Sequence, residues 1–176
     1  ACGKGAAAVT DMADKRVIIL MAVYNGQDYL KEQLDSIINQ TFASWELLIR
    51  DDCSSDKTPE IIEEYAKLDS RIKILDNRGK NLGAVKNFLE LVKNAPEADY
   101  YAFSDQDDYW YPGKLERAVK KLEALCRAGD KLNQEQKISD SENAAAGGGC
   151  DFPAVYCGAK KITDDKLKVT GLSVFK

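Results

Sequence analysis

The sequence predicts an α/β domain built on a mainly parallel sheet that is flanked by helices. Short apolar runs rich in β-branched residues alternate with stretches whose apolar residues recur at helical spacing. This alternation is typical of strand–helix units joined by right-handed crossovers. Four such units follow one another between residues 16 and 125, and a polar cluster follows the end of each apolar run. Loops at these positions bind ligands in open parallel sheets.

The first two units have the clearest patterns. Val17–Val23 is a continuous apolar run, as expected of a parallel strand covered on both faces, and Leu30–Ile38 follows with helical spacing. Glu46–Arg50 is the second predicted strand. The next helix is predicted to begin at Thr58-Pro59-Glu60, with the threonine as N-cap and the proline in the first turn.

The third and fourth units follow the same pattern. Ile72–Leu75 is a short predicted strand, and the helix after it carries an apolar face over Val85–Val92. Asp99–Phe103 is the fourth strand, and Leu115–Leu125 marks the helix that follows.

The two ends of the chain are expected to differ from this domain. We interpret residues 1–15 as a flexible leader and residues 16–176 as the domain, apparently truncated at its C-terminus. Residues 127–151 predict a mobile loop, with a helical extension at its start. Strands at Ala154–Cys157 and Leu167–Val169 are predicted to flank a hairpin turn near Thr163.

Composition excludes several classes of function. The net charge of −4 and the lack of a basic stripe disfavour a nucleic-acid partner. The chain contains no His, which excludes Ser-His-Asp and Cys-His catalysis within these residues, and its five cysteines form no CxxC pair for zinc. No apolar run reaches the roughly 18 residues of a membrane span. We expect a cytoplasmic protein, compatible with peripheral association with the inner face of a membrane.

The most informative segment is Ser104–Asp108, which follows the fourth predicted strand. Its three carboxylates, Asp105, Asp107 and Asp108, lie within four positions. Such crowding is costly unless a cation is present, and Mg²⁺ or Mn²⁺ takes one or two carboxylates together with substrate phosphates. We therefore predict a metal-bridged diphosphate site. The alternative is a solvated acidic turn that caps the next helix.

The loops after the other strands offer groups that suit a nucleotide. Tyr24 has a flat ring for stacking a nucleobase, and Asn25-Gly26 permits close backbone approach. Asp51 or Asp52 would accept a hydrogen bond from a pyrimidine imide, and we expect the other one to be structural. Lys86 would reach a base carbonyl or a phosphate. Each prediction has an alternative without a ligand. Tyr24-Asn25-Gly26 would be an ordinary turn into a helix, the aspartate would cap its own loop, and Lys86 would lie on a solvated helix face.

The helix that carries Lys86 opens at Asn81-Leu82-Gly83-Ala84. Helix N-termini attract anions, so we expect a diphosphate near this point. The segment lacks the glycine patterns of dinucleotide-binding and P-loop sites.

Taken together, these motifs resemble the family-2 glycosyltransferases. Residues 17–58 are similar to the start of that family, and Ser104–Trp110 with the following Pro112 and Lys114-Leu115 is similar to its DxD segment. The Asp-Gln-Asp-Asp form resembles bacterial members that build surface polysaccharides, rhamnosyltransferases among them. The motifs of the first segment that carry the resemblance are Tyr24-Asn25-Gly26, Asn39-Gln40-Thr41-Phe42 and Asp51-Asp52-Cys53-Ser54-Ser55-Asp56.

The resemblance implies a GT-A fold, a UDP- or dTDP-linked sugar donor, and inversion at the anomeric carbon. It also implies a glycan or lipid-linked acceptor in cell-surface polysaccharide biosynthesis. By position, Tyr24 and Asp52 would contact the base, Lys86 the donor and Asp105 the ribose, while Asp107 would hold Mg²⁺ or Mn²⁺. The remaining implied donor contacts are Ala22, Asn25, Asp51 and Gln106, and Asp105 would be the second metal ligand.

An inverting transferase also needs a general base for the acceptor hydroxyl. The resemblance places a carboxylate beyond the nucleotide domain in this role, often with a His-Asp pair, and Asp164 and Asp165 are poor candidates. We therefore expect the base to lie outside this chain, which alone would be inactive. The alternative is a non-catalytic nucleotide-sugar binding module.

Overall fold

The computed structural model describes residues 15–137, 160–163 and 169–173, with side chains described for residues 15–128. The chain divides into two compact units, with the boundary after Gly113. In its described residues, the first unit contains the parallel sheet and three helices. The described residues of the second form one helix and an antiparallel strand pair.

The sheet of the first unit is wholly parallel and has four strands in the order β3-β2-β1-β4. Its elements are β1 (Val17–Val23), α1 (Leu30–Ile38), β2 (Trp45–Asp51), α2 (Thr58–Leu68), β3 (Ile72–Ile74), α3 (Ala84–Asn94) and β4 (Tyr100–Ser104). The chain moves outward from β1 to β3 and then returns to the other side of β1 to form β4. The strand order therefore switches between β1 and β4, where open α/β sheets bind ligands.

The central strands form the core, as their continuous apolar runs predict. Six of the seven residues of β1 are buried, and Ile18 and Leu20 pack with Leu48 of β2 and Leu91 of α3. Each such side chain contributes roughly 1.5–3 kcal/mol when fully buried. The core thus fixes the position of β1, and β4 is paired with β1. The loops after these two strands therefore begin at well-ordered strand ends.

The predicted strands and helices of the first unit are confirmed, with one error at the start of α2. Thr58 is the first helical residue rather than the N-cap, which is Lys57. The Thr58 hydroxyl accepts a hydrogen bond from Gly26 N at 2.8 Å, and Asp56 instead accepts one from Thr58 N at 3.0 Å. The Thr58 hydroxyl therefore connects the loop after β1 to the start of α2, and the N-cap Lys57 makes no side-chain capping bond.

In the second unit, helix α4 (Lys114–Lys137) extends well past the end of the apolar pattern. It includes the first eleven residues of the predicted 127–151 loop, where Leu, Lys, Glu and Gln favour helix without an apolar stripe. Residues 138–151 lie outside the described part. Within the described residues, no helix is long and apolar enough to cross a membrane.

The predicted hairpin is present as an antiparallel pair, β5 (Lys160–Thr163) and β6 (Val169–Ser173). The later strand is shifted from its predicted position, because β6 begins where the second predicted strand, Leu167–Val169, ended. The other predicted strand, Ala154–Cys157, lies outside the described residues, as does the leader through residue 14.

Candidate active site at the carboxyl edge of the sheet

The loops after β1 and β2 are joined by side chains that were expected to meet a ligand. Asn25 has a positive φ of 47°, its N–H donates to Ser54 Oγ at 2.8 Å, and its side-chain Oδ1 accepts from Ser55 N at 2.9 Å. Asn25 therefore shapes the loop with its polar side chain. The ring of Tyr24 is left half exposed at the edge of the site.

Asp51, the last residue of β2, is buried and closes the turn that follows it. Its carboxylate accepts hydrogen bonds from Ser54 N at 3.0 Å and from the Ser54 hydroxyl. Since Ser54 also receives the N–H of Asn25, Asp51 supports the β1 loop through Ser54.

The neighbouring Asp52 is more deeply buried, at 3% exposure, and its carboxylate is fully engaged. It pairs with Arg50 Nη1 at 2.8 Å and accepts the N–H groups of Leu82 at 2.8 Å and Gly83 at 2.7 Å. These two N–H groups directly precede α3, so the anion at this helix start is Asp52. These two N–H groups are therefore taken by Asp52, and a diphosphate near this helix start stays a prediction.

Arg50 and Asn87 complete this buried group, and sequence reasoning missed both. Arg50 Nη1 donates to Asn87 Oδ1 at 2.7 Å, and its Nη2 donates to the carbonyls of Asn77 at 3.2 Å and Lys80 at 3.0 Å. Asn87 Nδ2 returns a bond to Arg50 O at 3.1 Å. An available signal was the arginine that directly follows the apolar stretch Leu47–Ile49, because a buried charge needs partners.

The surroundings of Asp52 make the stability of the fold pH-dependent. Burial alone raises its pKa, but hydrogen bonds from Leu82 N, Arg50 and Gly83 N, with the Arg50 charge, hold the pKa below its ordinary value of 3.8. A carboxyl with a lowered folded-state pKa stabilises the fold above its unfolded pKa, and this contribution is lost as pH falls through the folded pKa.

We therefore expect Asp52→Asn to lower the free energy of unfolding near neutral pH and to flatten its decline below about pH 5. Chemical denaturation measured from pH 7 down to pH 3 checks this. Asp28→Asn, at an exposed position, is the charge-matched control and should keep the wild-type slope. An unchanged slope in Asp52→Asn would contradict the expectation.

The acidic segment after β4 is attached to α1 by the buried amide of Gln33. The amide oxygen accepts from Ser104 Oγ at 2.7 Å and Trp110 Nε1 at 3.3 Å, and the nitrogen donates to Asp108 O and to Ser36 Oγ at 3.0 Å. This orientation gives all four amide positions a suitable partner. Trp110, at 1% exposure, is buried beneath the segment. Asp105–Asp108 is therefore held in place from both ends.

Gln40 and Thr41, which follow the end of α1 and belong to the family-like motif, also hold the acidic segment in place. Gln40 Nε2 donates to the carbonyls of Trp110 at 3.2 Å and Tyr111 at 2.9 Å, and Thr41 N donates to Pro112 O at 2.9 Å. These contacts fix the chain that leaves the acidic segment.

Gln106 joins the acidic segment to the loop after β1. Its Oε1 accepts from Tyr24 N at 2.8 Å, and its Nε2 donates to Tyr24 O at 3.1 Å. Predicted as a donor contact, Gln106 uses its amide on the backbone of Tyr24 in this structure. The strand-order switch thus brings the backbone of Tyr24 against the segment that carries Asp105 and Asp107.

Asp105 and Asp107 are exposed at this edge, and Asp108 is half buried. Among the described residues, the Asp107 carboxylate has no hydrogen bond or ion pair. No group of three or more Asp, Glu, Cys or His in the described part is arranged to hold a metal. Asp107 offers a carboxylate of the kind that a hard divalent ion takes together with diphosphate oxygens, and the metal site stays a prediction.

The two remaining predicted contacts also lie at this edge. Lys86, in the first turn of α3, is exposed and forms no ion pair with a described residue, so its ammonium is free to meet an anion. Ala22 lies near the end of β1, opposite Arg50, and its side chain packs against the core of Ile18, Leu20, Leu48 and Leu91.

A parallel sheet whose polar loops gather at the strand-order switch defines a doubly wound α/β domain, a fold that binds ligands at this point. The sequence model of the family described as Glycosyl transferase family 2 matches residues 18–142, and the chain belongs to this family. The predicted GT-A fold is confirmed by its structural neighbours: residues 1–349 of S. aureus TarS, bound to UDP-GlcNAc, superpose with a TM-score of 0.57. That match has 28% identity and covers 62% of this chain and 31% of TarS 1–349.

Curated relatives agree with this assignment. The dTDP-rhamnosyl transferase RfbG of Shigella flexneri is 44% identical over 102 residues, which cover 56% of this chain and 35% of RfbG. The putative glycosyltransferase EpsH of Bacillus subtilis is 33% identical over 138 residues, 76% of this chain and 39% of EpsH. The chain therefore spans between a third and two fifths of the length of these relatives.

Proposed function

We propose that the carboxyl edge of the sheet binds a UDP- or dTDP-linked sugar for inverting transfer to a glycan or lipid-linked acceptor in cell-surface polysaccharide synthesis. The observation that carries the proposal is the exposed Asp107 carboxylate, which has no partner in the described residues and lies beside the loop of Tyr24. The name of RfbG and the UDP-GlcNAc complex of TarS support a nucleotide-sugar donor.

Each exposed group has a distinct task in binding the donor. The ring of Tyr24 stacks on the nucleobase, Asp105 meets the ribose, and Lys86 attracts the phosphates. Asp52 contributes indirectly, since its buried carboxylate holds the turn at Leu82 and Gly83 that leads to Lys86.

Asp107 and Asp105 would hold Mg²⁺ or Mn²⁺ together with oxygens of the diphosphate. When bound, the ion would stabilise the negative charge that develops on the leaving nucleoside diphosphate. Glycosyl transfer shares its oxocarbenium-like transition state with glycoside hydrolysis. Groups that stabilise charge present only in the transition state accelerate the reaction, whereas groups that stabilise substrate and transition state equally only strengthen donor binding. The two carboxylates would hold the ion just after β4, a strand that is paired with β1.

Titration calorimetry with UDP and dTDP, in Mn²⁺ or in EDTA, tests the proposal. We expect diphosphate binding that weakens at least about tenfold in EDTA, because the exposed carboxylates otherwise repel the phosphates. UMP is the control and should depend less on the ion, since it lacks the bridging phosphate. Equal affinities with and without EDTA would contradict the metal site, and no nucleotide binding at all would contradict the function.

A further inference from the structure

We propose that Gln106 is a positioning residue whose amide locks the loop after β1 to the acidic segment after β4. We call its two hydrogen bonds with Tyr24 the Gln106 clasp. The clasp makes the ring of Tyr24 and the carboxylates of Asp105 and Asp107 act as one donor site. This inference rests on the proposed function and adds to it the residue that aligns its two halves.

The clasp continues the pairing of two strands by means of a side chain. Backbone pairing between β1 and β4 ends at Met21 and Ser104. Beyond that point Tyr24 N donates to Gln106 Oε1 at 2.8 Å, and Gln106 Nε2 donates to Tyr24 O at 3.1 Å. In a parallel pair, a strand residue likewise donates its N–H and accepts at its C=O across the strands, but to two different residues, whereas here one side-chain amide provides both partners. The orientation of the amide is fixed because Tyr24 offers one donor and one acceptor.

Gly26 provides an independent observation that the amide lies close against the β1 loop. A Cβ added at Gly26 would lie 2.8 Å from Gln106 Oε1 and 2.9 Å from Gln106 Cδ, closer than atoms can pack. Gly26 does not have a positive φ, so its backbone conformation would accept alanine. An alanine at this position would therefore push the end of the Gln106 side chain away from the β1 loop.

The position of the clasp explains its effect on the donor. Gln106 lies between Asp105 and Asp107 in sequence, so fixing its side chain constrains the backbone from which both carboxylates project. Its partner Tyr24 carries the half-exposed ring. A donor that contacts both the Tyr24 ring and the carboxylates binds tightly only if the distance between them is fixed. When that distance fluctuates, the two contacts cannot form together and affinity falls.

The variants Gln106→Ala, Gly26→Ala and the double variant test the clasp. We expect Gln106→Ala to speed hydrogen exchange at Tyr24 N–H and to weaken UDP and dTDP binding in Mn²⁺ about tenfold, with much less change for UMP. Gly26→Ala should weaken diphosphate binding similarly. Added to Gln106→Ala it should cost nothing further, because alanine at 106 leaves room for the new Cβ. The melting temperature of each variant shows whether the fold is intact.

Gln27→Ala is the matched control, since this exposed glutamine also bonds to backbone, at Lys57 N, but not to the acidic segment. It should leave diphosphate binding unchanged and should not alter the effect of Gly26→Ala. Additive losses from Gly26→Ala and Gln106→Ala, or unchanged exchange at Tyr24 N–H in Gln106→Ala, would overturn the clasp. So would equal losses for UMP and the diphosphates. Failure of the wild type to bind any nucleotide would instead refute the proposed function, and the positioning role with it.

Discussion

Asp107→Asn is expected to weaken Mn²⁺-dependent binding of UDP or dTDP by about 100-fold while the melting temperature stays nearly constant. The size follows from the chemistry of metal sites, where losing even a partner of a ligand costs about 10- to 100-fold in affinity. Asparagine keeps the shape of the side chain but removes the charge that a hard cation requires. Titration in Mn²⁺, with thermal melting of the same samples, measures both quantities.

The stability of the fold should be insensitive to this change because Asp107 is exposed and its carboxylate has no partner in the described residues. Surface substitutions of this kind usually change stability by about 0.5 kcal/mol or less. A marked fall in melting temperature would support the alternative reading of the segment as a turn that caps the next helix.

Asp28→Asn is again the matched control, because it removes the same charge from an exposed position in the loop after β1. Its diphosphate affinity should stay near the wild-type value. If both variants lost affinity to the same degree, the effect would come from the net charge of this edge and not from a metal ligand at Asp107.

The sequence predicts the frame of this domain well because hydrophobic periodicity is a local signal. Val17–Val23 is buried along nearly its whole length and is an uninterrupted apolar run, and Trp45–Asp51 carries the apolar stretch Leu47–Ile49 at its centre. Parallel strands then place their C-terminal loops at one edge without further information. For this reason the clustering of Tyr24 and Gln106 could be anticipated from the order of elements alone.

The roles of individual polar residues were less predictable, because their partners lie far away in sequence. Arg50 meets Asn87 across 37 positions, and Gln33 meets Ser104 across 71. Contacts between residues so far apart produce no periodic pattern in the sequence. Gln106 illustrates the consequence: its residue type suits a ligand contact, but the structure commits its amide to the backbone of Tyr24.

The largest expected effect on stability is that of Arg50→Met, which should lower the free energy of unfolding by roughly 3–5 kcal/mol. The substitution preserves much of the side-chain volume but leaves the Asp52 carboxylate, only 4% exposed, without its cation. It also removes the donors to the carbonyls of Asn77 and Lys80 and to Asn87 Oδ1. Urea denaturation measures the loss.

The size of this loss can be traced to the buried pair with a double-mutant cycle. Arg50→Met with Asp52→Asn should be less destabilised than the sum of the single variants, because the second change removes the unpaired charge; coupled contacts typically show about 0.5–3 kcal/mol. Lys67→Met is the control, since it breaks the exposed pair with Glu63 at 3.7 Å and should cost at most about 0.5 kcal/mol.

Arg50→Lys keeps the experiment informative if Arg50→Met does not fold. Lysine retains the charge but presents a single ammonium in place of the guanidinium fork, so it cannot reach all the acceptors that Arg50 serves. We expect an intermediate cost of about 1–3 kcal/mol, set by the carbonyls left without donors. A cost below about 0.5 kcal/mol for Arg50→Lys and Arg50→Met alike would mean that the turn before α3 does not depend on this arginine. The support for Lys86 would then have to come from Asp52 alone.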